Sequence, residues 1–144
     1  MLAEEYPHAG IIPSFSTVAP QTPVVEPFFK ELAEIKDAFF AGGRFQLQFS
    51  LHAMDENARR SIVPIKTWAL EQIAEYGARF VRAGDRKITL NFALACGEGI
   101  EAAKLQRLFP IEHFLIKITP VNPTRTADKN GATHVWCDAP DSVQ

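Results

Sequence analysis

The stretch Phe45-Gln46-Leu47-Gln48-Phe49-Ser50-Leu51-His52 decides the fold. Its apolar residues fall on every second position, the period of a β-strand, and the positions between them are all polar: Gln46, Gln48, Ser50 and His52. A strand in a parallel sheet covered on both sides is apolar on both faces, so this one keeps a face for water or a ligand. The construction recurs. In Ile88-Thr89-Leu90-Asn91-Phe92-Ala93-Leu94 the polar residues Thr89 and Asn91 oppose Ile88, Leu90, Phe92 and Leu94. In Phe114-Leu115-Ile116-Lys117-Ile118-Thr119, Lys117 and Thr119 oppose Phe114, Ile116 and Ile118. Ser14-Phe15-Ser16-Thr17 is a shorter fourth case, with Ser14 and Ser16 on one side.

Helical patterns separate these strands. Phe28, Phe29, Leu32, Ile35, Phe39 and Phe40 are spaced in threes and fours, and Gly42-Gly43 stops the run. A second helix is expected from about Thr67, with Leu70, Ile73, Phe80 and Val81 on one face, and Asp55 has the chemistry of an N-cap for a short extra helix after His52. A third is expected from about Glu98 to Phe109, ended by Pro110. Strand and helix alternation implies right-handed crossovers and a parallel sheet. The expectation is an α/β fold of about four βα units in residues 1–124, with Phe45–His52, Arg86–Leu94 and Phe114–Thr119 as neighbouring parallel strands and residues 125–144 as a polar C-terminal tail. The helices would cover the apolar face and leave Gln46, Gln48, Thr89, Asn91 and Lys117 on the other, as inside an open or closed βα barrel. An antiparallel, half-solvated sheet would need tight turns where this chain has helices. In such barrels function collects at the strands' carboxyl ends, where Ser16, Ser50, His52 and Asn122 fall.

Composition bounds the answer without choosing it. The 144 residues fit one domain, and 47% hydrophobic content is that of a globular core. No apolar run approaches the ~20 residues that cross a bilayer, and the N-terminus lacks a secretory pattern, so no membrane partner and a cytoplasmic location are expected. A formal net charge of −2 gives no dominant nucleic-acid surface. Arg79, Arg82, Arg86 and Lys87 could reach RNA or could complement a helix C-terminus. Gly97-Glu98-Gly99 reads as a turn into the third helix rather than a phosphate loop. Cys96 and Cys137 are the only cysteines and form no CxxC pair, so these thiols alone are not expected to hold an iron–sulfur cluster or a structural zinc.

Phe15-Ser16-Thr17-Val18, then Ser50-Leu51-His52-Ala53 with Arg59 and Val63-Pro64-Ile65 after it, then Pro120-Val121-Asn122-Pro123, occur in this order along the chain. In order and spacing they resemble the radical SAM adenine C2-methyltransferases of ribosomal and transfer RNA, including the related resistance methyltransferases. The resemblance runs from about Ile12 to Pro123 and matches the later part of that family's barrel. It implies a partial, TIM-like barrel that cradles S-adenosylmethionine (SAM), with Ser16, Ser50, Leu51, His52 and Asn122 as SAM contacts. It also implies a [4Fe–4S] cluster that cleaves SAM in the complete enzyme, and RNA as substrate.

The family's CxxxCxxC and Gly-Glu-Pro motifs and its methyl-carrying cysteine segment do not occur in this sequence, and Ser16-Thr17-Val18-Ala19-Pro20 replaces the commoner Ser-Thr-Ser-Gly. The chain therefore reads as a fragment, an expressed domain or a truncated gene product. Alone it is expected to hold neither cofactor stably and to be catalytically inactive. Its expected partners are the missing barrel segments of a parent protein, an RNA substrate, and a second copy associating through the exposed sheet edge. Two other readings stay open: a non-catalytic binding or interaction module on the same scaffold, and a fragment of another α/β barrel enzyme.

Overall fold

A computed structural model of the chain describes Glu5, residues 10–94 and residues 100–120. Its strands are β1 (Ser14–Thr17), β2 (Gln46–Ser50), β3 (Ile88–Leu94) and β4 (Phe114–Pro120). Its helices are α1 (Val25–Phe39), α2 (Glu56–Ile62), α3 (Leu70–Phe80) and α4 (Ala102–Leu108). The strands lie side by side in chain order, and every pairing is parallel. This is the expected α/β architecture, and it excludes the antiparallel alternative.

The alternation read from the sequence governs burial. Leu47, Phe49, Leu51, Ile88, Leu90 and Phe92 are all but fully buried, together with Phe29 from α1, Ile73, Tyr76 and Phe80 from α3, and Leu105 from α4. Gln46, Gln48, Ser50 and Asn91 remain half-buried on the opposite face. Aromatic rings form the centre of the core: Phe29 lies 4.8 Å from Trp68, 4.9 Å from Tyr76 and 5.8 Å from Phe49 between ring centroids. The Tyr76 hydroxyl donates to the Phe29 carbonyl at 2.9 Å, which ties α3 to α1 through an otherwise apolar layer. Burial pushes the pKa of that phenol well above its ordinary value.

Several boundaries differ from the sequence expectation. α1 begins a turn earlier than its phenylalanines suggest, with Pro27 inside the first turn, where no intrahelical N–H is required. α3 begins at Leu70 rather than near Thr67, because Thr67 bridges Pro20 and the Trp68 N–H donates to the Ala19 carbonyl at 2.8 Å. β2 ends at Ser50, since His52 adopts a positive φ of 63° that turns the chain out of the sheet. The third expected helix is seen as α4; residues 95–99, the tail 125–144, Asn122 and both cysteines lie outside the described residues. No helix among the described residues is long and apolar enough to cross a membrane.

Gly77 sets how closely α3 approaches the sheet. A methyl group on its Cα would run into the Phe114 ring, with Cε1 at 2.7 Å, and would sit 3.1 Å from Ile88 Cδ1. Gly77→Ala is expected to destabilise the fold by about 1–3 kcal/mol through overpacking, even though alanine favours a helix by about 1 kcal/mol. Urea denaturation measures this, and a neutral or stabilising result would mean that the Phe114 ring can swing aside freely.

Candidate functional site

The polar face of the sheet gathers hydroxyl and carboxamide groups into rows. Strand register places Ser16 beside Gln48 and Gln48 beside Thr89, while Ser50 pairs with Asn91 and Asn91 with Lys117. Because parallel strands in register bring equivalent positions level, residues far apart in sequence meet. The Ser16 and Ser50 hydroxyls are 3.4 Å apart, and Gln48 Nε2 donates to Ser16 Oγ at 3.1 Å. Farther across, Thr119 Oγ1 donates to Asn91 Oδ1 at 2.7 Å. Lys117 is exposed and adds the one cation of the Ser50–Asn91–Lys117 row.

The carboxyl ends of β1 and β2 are shaped by two left-handed residues that are not glycine. Ala19 has φ 52° and His52 has φ 63°. Each such residue costs about 1–2 kcal/mol, so the surroundings must hold it. At Ala19 the backbone N–H donates to Thr17 Oγ1 at 3.0 Å, and the carbonyl accepts from Trp68. After Ser50, the backbone N–H of Leu51 donates to the Asn91 carbonyl at 2.9 Å, and that of His52 reaches the same oxygen at 3.5 Å.

Arg59 braces these two turns against each other. It is buried on α2, whose N-cap Asp55 accepts from the Ala58 N–H as expected. One guanidinium nitrogen donates to Thr67 Oγ1 at 3.0 Å and to the Trp68 carbonyl at 3.1 Å, and Trp68 in turn bonds Ala19. Burial pushes the Arg59 guanidinium below its ordinary pKa, while Glu56 and Glu71 pull the other way. Arg59 thus links the segment after His52 to the segment after Ser16 without facing the polar side itself.

Of the residues singled out from sequence, Ser16 and Ser50 are brought together, and His52 lies half-buried at the same end of the sheet. Leu51 is different. Its side chain is 1% exposed within the core, so only its backbone can reach a ligand. Gln48, Asn91, Lys117 and Thr119 lie on the polar face, where the two-residue alternation puts them, but no motif marks them and the sequence reading did not count them among the site residues. Arg82, Arg86 and Lys87 lie near the amino end of β3, opposite the polar rim, where Arg86 Nε donates to the Gly43 carbonyl at 2.8 Å and Arg82 pairs with Asp37 at 3.5 Å.

A groove of about 660 Å³ runs between α1 and α3, with Phe29, Trp68, Tyr76 and Phe80 at its base and charged residues such as Glu34 and Arg79 along it. It lies on the helical side of the sheet and includes none of the polar-face residues. Among the described residues no group of three His, Cys, Asp or Glu side chains is placed to hold a metal ion. The hydroxyl, imidazole and carboxamide groups at this end of the sheet can each hydrogen-bond a polar ligand without a fixed charge.

No protein-family model matches the chain, and no solved structure matches it. A curated relative from Streptomyces coelicolor, described as "Probable dual-specificity RNA methyltransferase RlmN", is 27% identical over 90 residues. The match covers 58% of this chain and 24% of the relative, so the chain spans about a quarter of that protein's length and is similar to that part of it.

Proposed function

We propose that this chain supplies part of a SAM-binding surface on a radical SAM methyltransferase-like barrel of the kind that modifies RNA. The observation that carries the reading is the meeting of Ser16 and Ser50, from two separate motifs, 3.4 Å apart on the polar face at the strands' carboxyl ends. Similarity to an RNA methyltransferase supports it independently of that geometry. Ser16, Ser50 and His52 would hydrogen-bond the adenosine and methionine groups, the Leu51 backbone would line the rim, and Asn122, outside the described residues, would join them by its motif. Asn91 and Lys117 extend the surface, with Lys117 suited to the methionine carboxylate.

SAM, when bound, supplies an activated sulfonium that reductive chemistry can cleave. In this reading the chain itself carries out no step of that chemistry. Its role is to bind and orient. The RNA substrate and the remaining barrel segments belong to the complete protein in this reading.

Chemical-shift mapping of the chain with SAM tests it. Millimolar SAM is expected to shift the amide signals of Ser16, Ser50, Leu51 and His52. Ser16→Ala, Ser50→Ala, His52→Ala and Asn122→Ala are each expected to weaken binding by about 0.5–1.5 kcal/mol, roughly 2- to 12-fold. Shifts confined to the groove between α1 and α3, or affinity unchanged in all four variants, would remove this assignment.

A further inference from the structure

Lys117 is the single charged residue of the four strands, and no aspartate or glutamate stands on any of them. No salt bridge among the described residues reaches it. Strand register sets Lys117 level with Asn91, and Asn91 level with Ser50. Asn91 is held twice. Its backbone carbonyl accepts from the Leu51 N–H at 2.9 Å, which ties it to the turn after β2, and its side-chain Oδ1 accepts from Thr119 Oγ1 at 2.7 Å. The second bond decides which end of the carboxamide stays available. With Oδ1 engaged by Thr119, the amino group Nδ2 is left over, and among the described residues it has no acceptor. That nitrogen carries two donor hydrogens.

We infer that Ser50, Asn91 and Lys117 form an oxyanion-binding row, in which Asn91 Nδ2 and the Lys117 ammonium donate to a carboxylate or phosphate group and Thr119 is the positioning residue that turns the carboxamide. The three donors complement one another: a hydroxyl rotates to suit its partner, an amide nitrogen has a fixed plane, and an ammonium supplies charge. Hydrogen bonds to an ionised acceptor are roughly twice as strong as neutral ones, so an anion gains more from this row than a neutral group does. A lysine that only solvates the sheet would need neither Asn91 nor Thr119. The bond from Thr119 spends the one acceptor atom of Asn91 and leaves donors, and with no carboxylate on any strand nothing in the row repels negative charge. Strands added at either edge would lengthen the row and not cover it, so the site is independent of what flanks β1 or β4. It rests on the SAM reading only where the anion is the methionine carboxylate; a nucleotide phosphate would use the same donors without SAM.

NMR titration of the chain with sodium acetate and, separately, sodium phosphate, at an ionic strength held constant with sodium chloride, reads the side-chain amide signals of Asn91. A saturable shift is expected with at least one of the two anions and none with chloride alone. That anion is expected to bind about 10-fold or more weakly in Lys117→Met and in Asn91→Asp, which keeps the Thr119 bond but replaces the donor by a second, charged acceptor. Thr119→Val is expected to weaken binding and Thr119→Ser to restore it, a rescue that a packing role for the threonine methyl would not give. The source of the anion is told apart by two pairs of ligands, SAM against decarboxylated SAM and adenosine monophosphate against adenosine. The pair whose charged member loses its advantage in Asn91→Asp names it. Asn91 signals unmoved by both anions, a response no different from that to chloride, or affinity unchanged in Asn91→Asp and Lys117→Met would overturn the row. SAM binding with no anion response at Asn91 would leave the SAM surface standing and remove the row, and an anion response without SAM binding would do the reverse. Should Asn91→Asp fail to fold, Lys117→Met and the two Thr119 variants still decide.

Discussion

Replacing Lys36 with methionine is expected to lower the folding stability by about 3–5 kcal/mol at neutral pH, the cost of leaving a buried charge without its partner. Lys36 is 1% exposed. Its ammonium pairs with Asp85 across 49 residues of chain, donates to the Phe80 carbonyl at 2.9 Å, lies 2.6 Å from Asp37, and sits 4.8 Å over the Phe80 ring. One cation therefore joins α1 to the last turn of α3 and to the loop that leads into β3. Burial alone would raise the Asp85 pKa, but the hydrogen bond and charge of Lys36, with backbone N–H groups of Arg82 and Gly43, outweigh it and hold the carboxyl below its ordinary 3.8. A folded-state value below the unfolded one stabilises the protein above the carboxylate range, and that contribution is lost as the pH falls through about 4 and lower. In Lys36→Met only the two backbone N–H groups still oppose burial, so the Asp85 carboxyl is expected to move up and the variant to lose less stability than the parent on acidification. Urea denaturation across this range measures both effects. A loss under about 1 kcal/mol with an unchanged acid limb would show that the pair contributes nothing net. Lys36→Met with Asp85→Leu should recover much of the loss, because both charges are then removed together.

Phe29→Ala is the second large effect, an expected loss of about 3–5 kcal/mol from the transfer and cavity terms of a buried aromatic. Three other core rings, Phe49, Trp68 and Tyr76, pack around this one, and they come from β2, the segment before α3, and α3 itself. The cavity cannot be filled by one neighbour moving alone. Phe28 is the control. It adjoins Phe29 on the same helix but is partly exposed over the β1 edge, so Phe28→Ala is expected to cost the single chain about 1 kcal/mol or less. Thermal or chemical denaturation of the two variants compares them, and equal losses would mean that the core extends to Phe28.

The parallel sheet was legible because half of each strand is polar: the alternation from Phe45 to Leu51 names both the buried set and the open face, and it did so without any motif. Lys36 was not legible. A helical pattern assigns a lysine to solvent, and the partner that makes its burial tolerable lies 49 residues away in a loop. The start of α3 was misplaced for a related reason, since Thr67 and Trp68 have neutral local preferences and are claimed by Pro20 and Ala19 from another part of the chain. For the candidate site, Ser16 and Ser50 could be paired from their strand ends, but the outward turn at His52 could not, because a positive φ at histidine leaves no trace in periodicity. Leu51 shows how a motif and a side chain part company: it stands between two site residues and faces the core.

The order β1-β2-β3-β4 repeats the order of the chain, so each strand finds its partner in the neighbouring βα unit. Folding of one chain then requires only a succession of short closures, each with a loop entropy that grows slowly with length. Among the described residues no pairing joins the first strand to the last. A break in the chain between β2 and β3 would therefore leave two halves, each with one complete parallel pairing of its own.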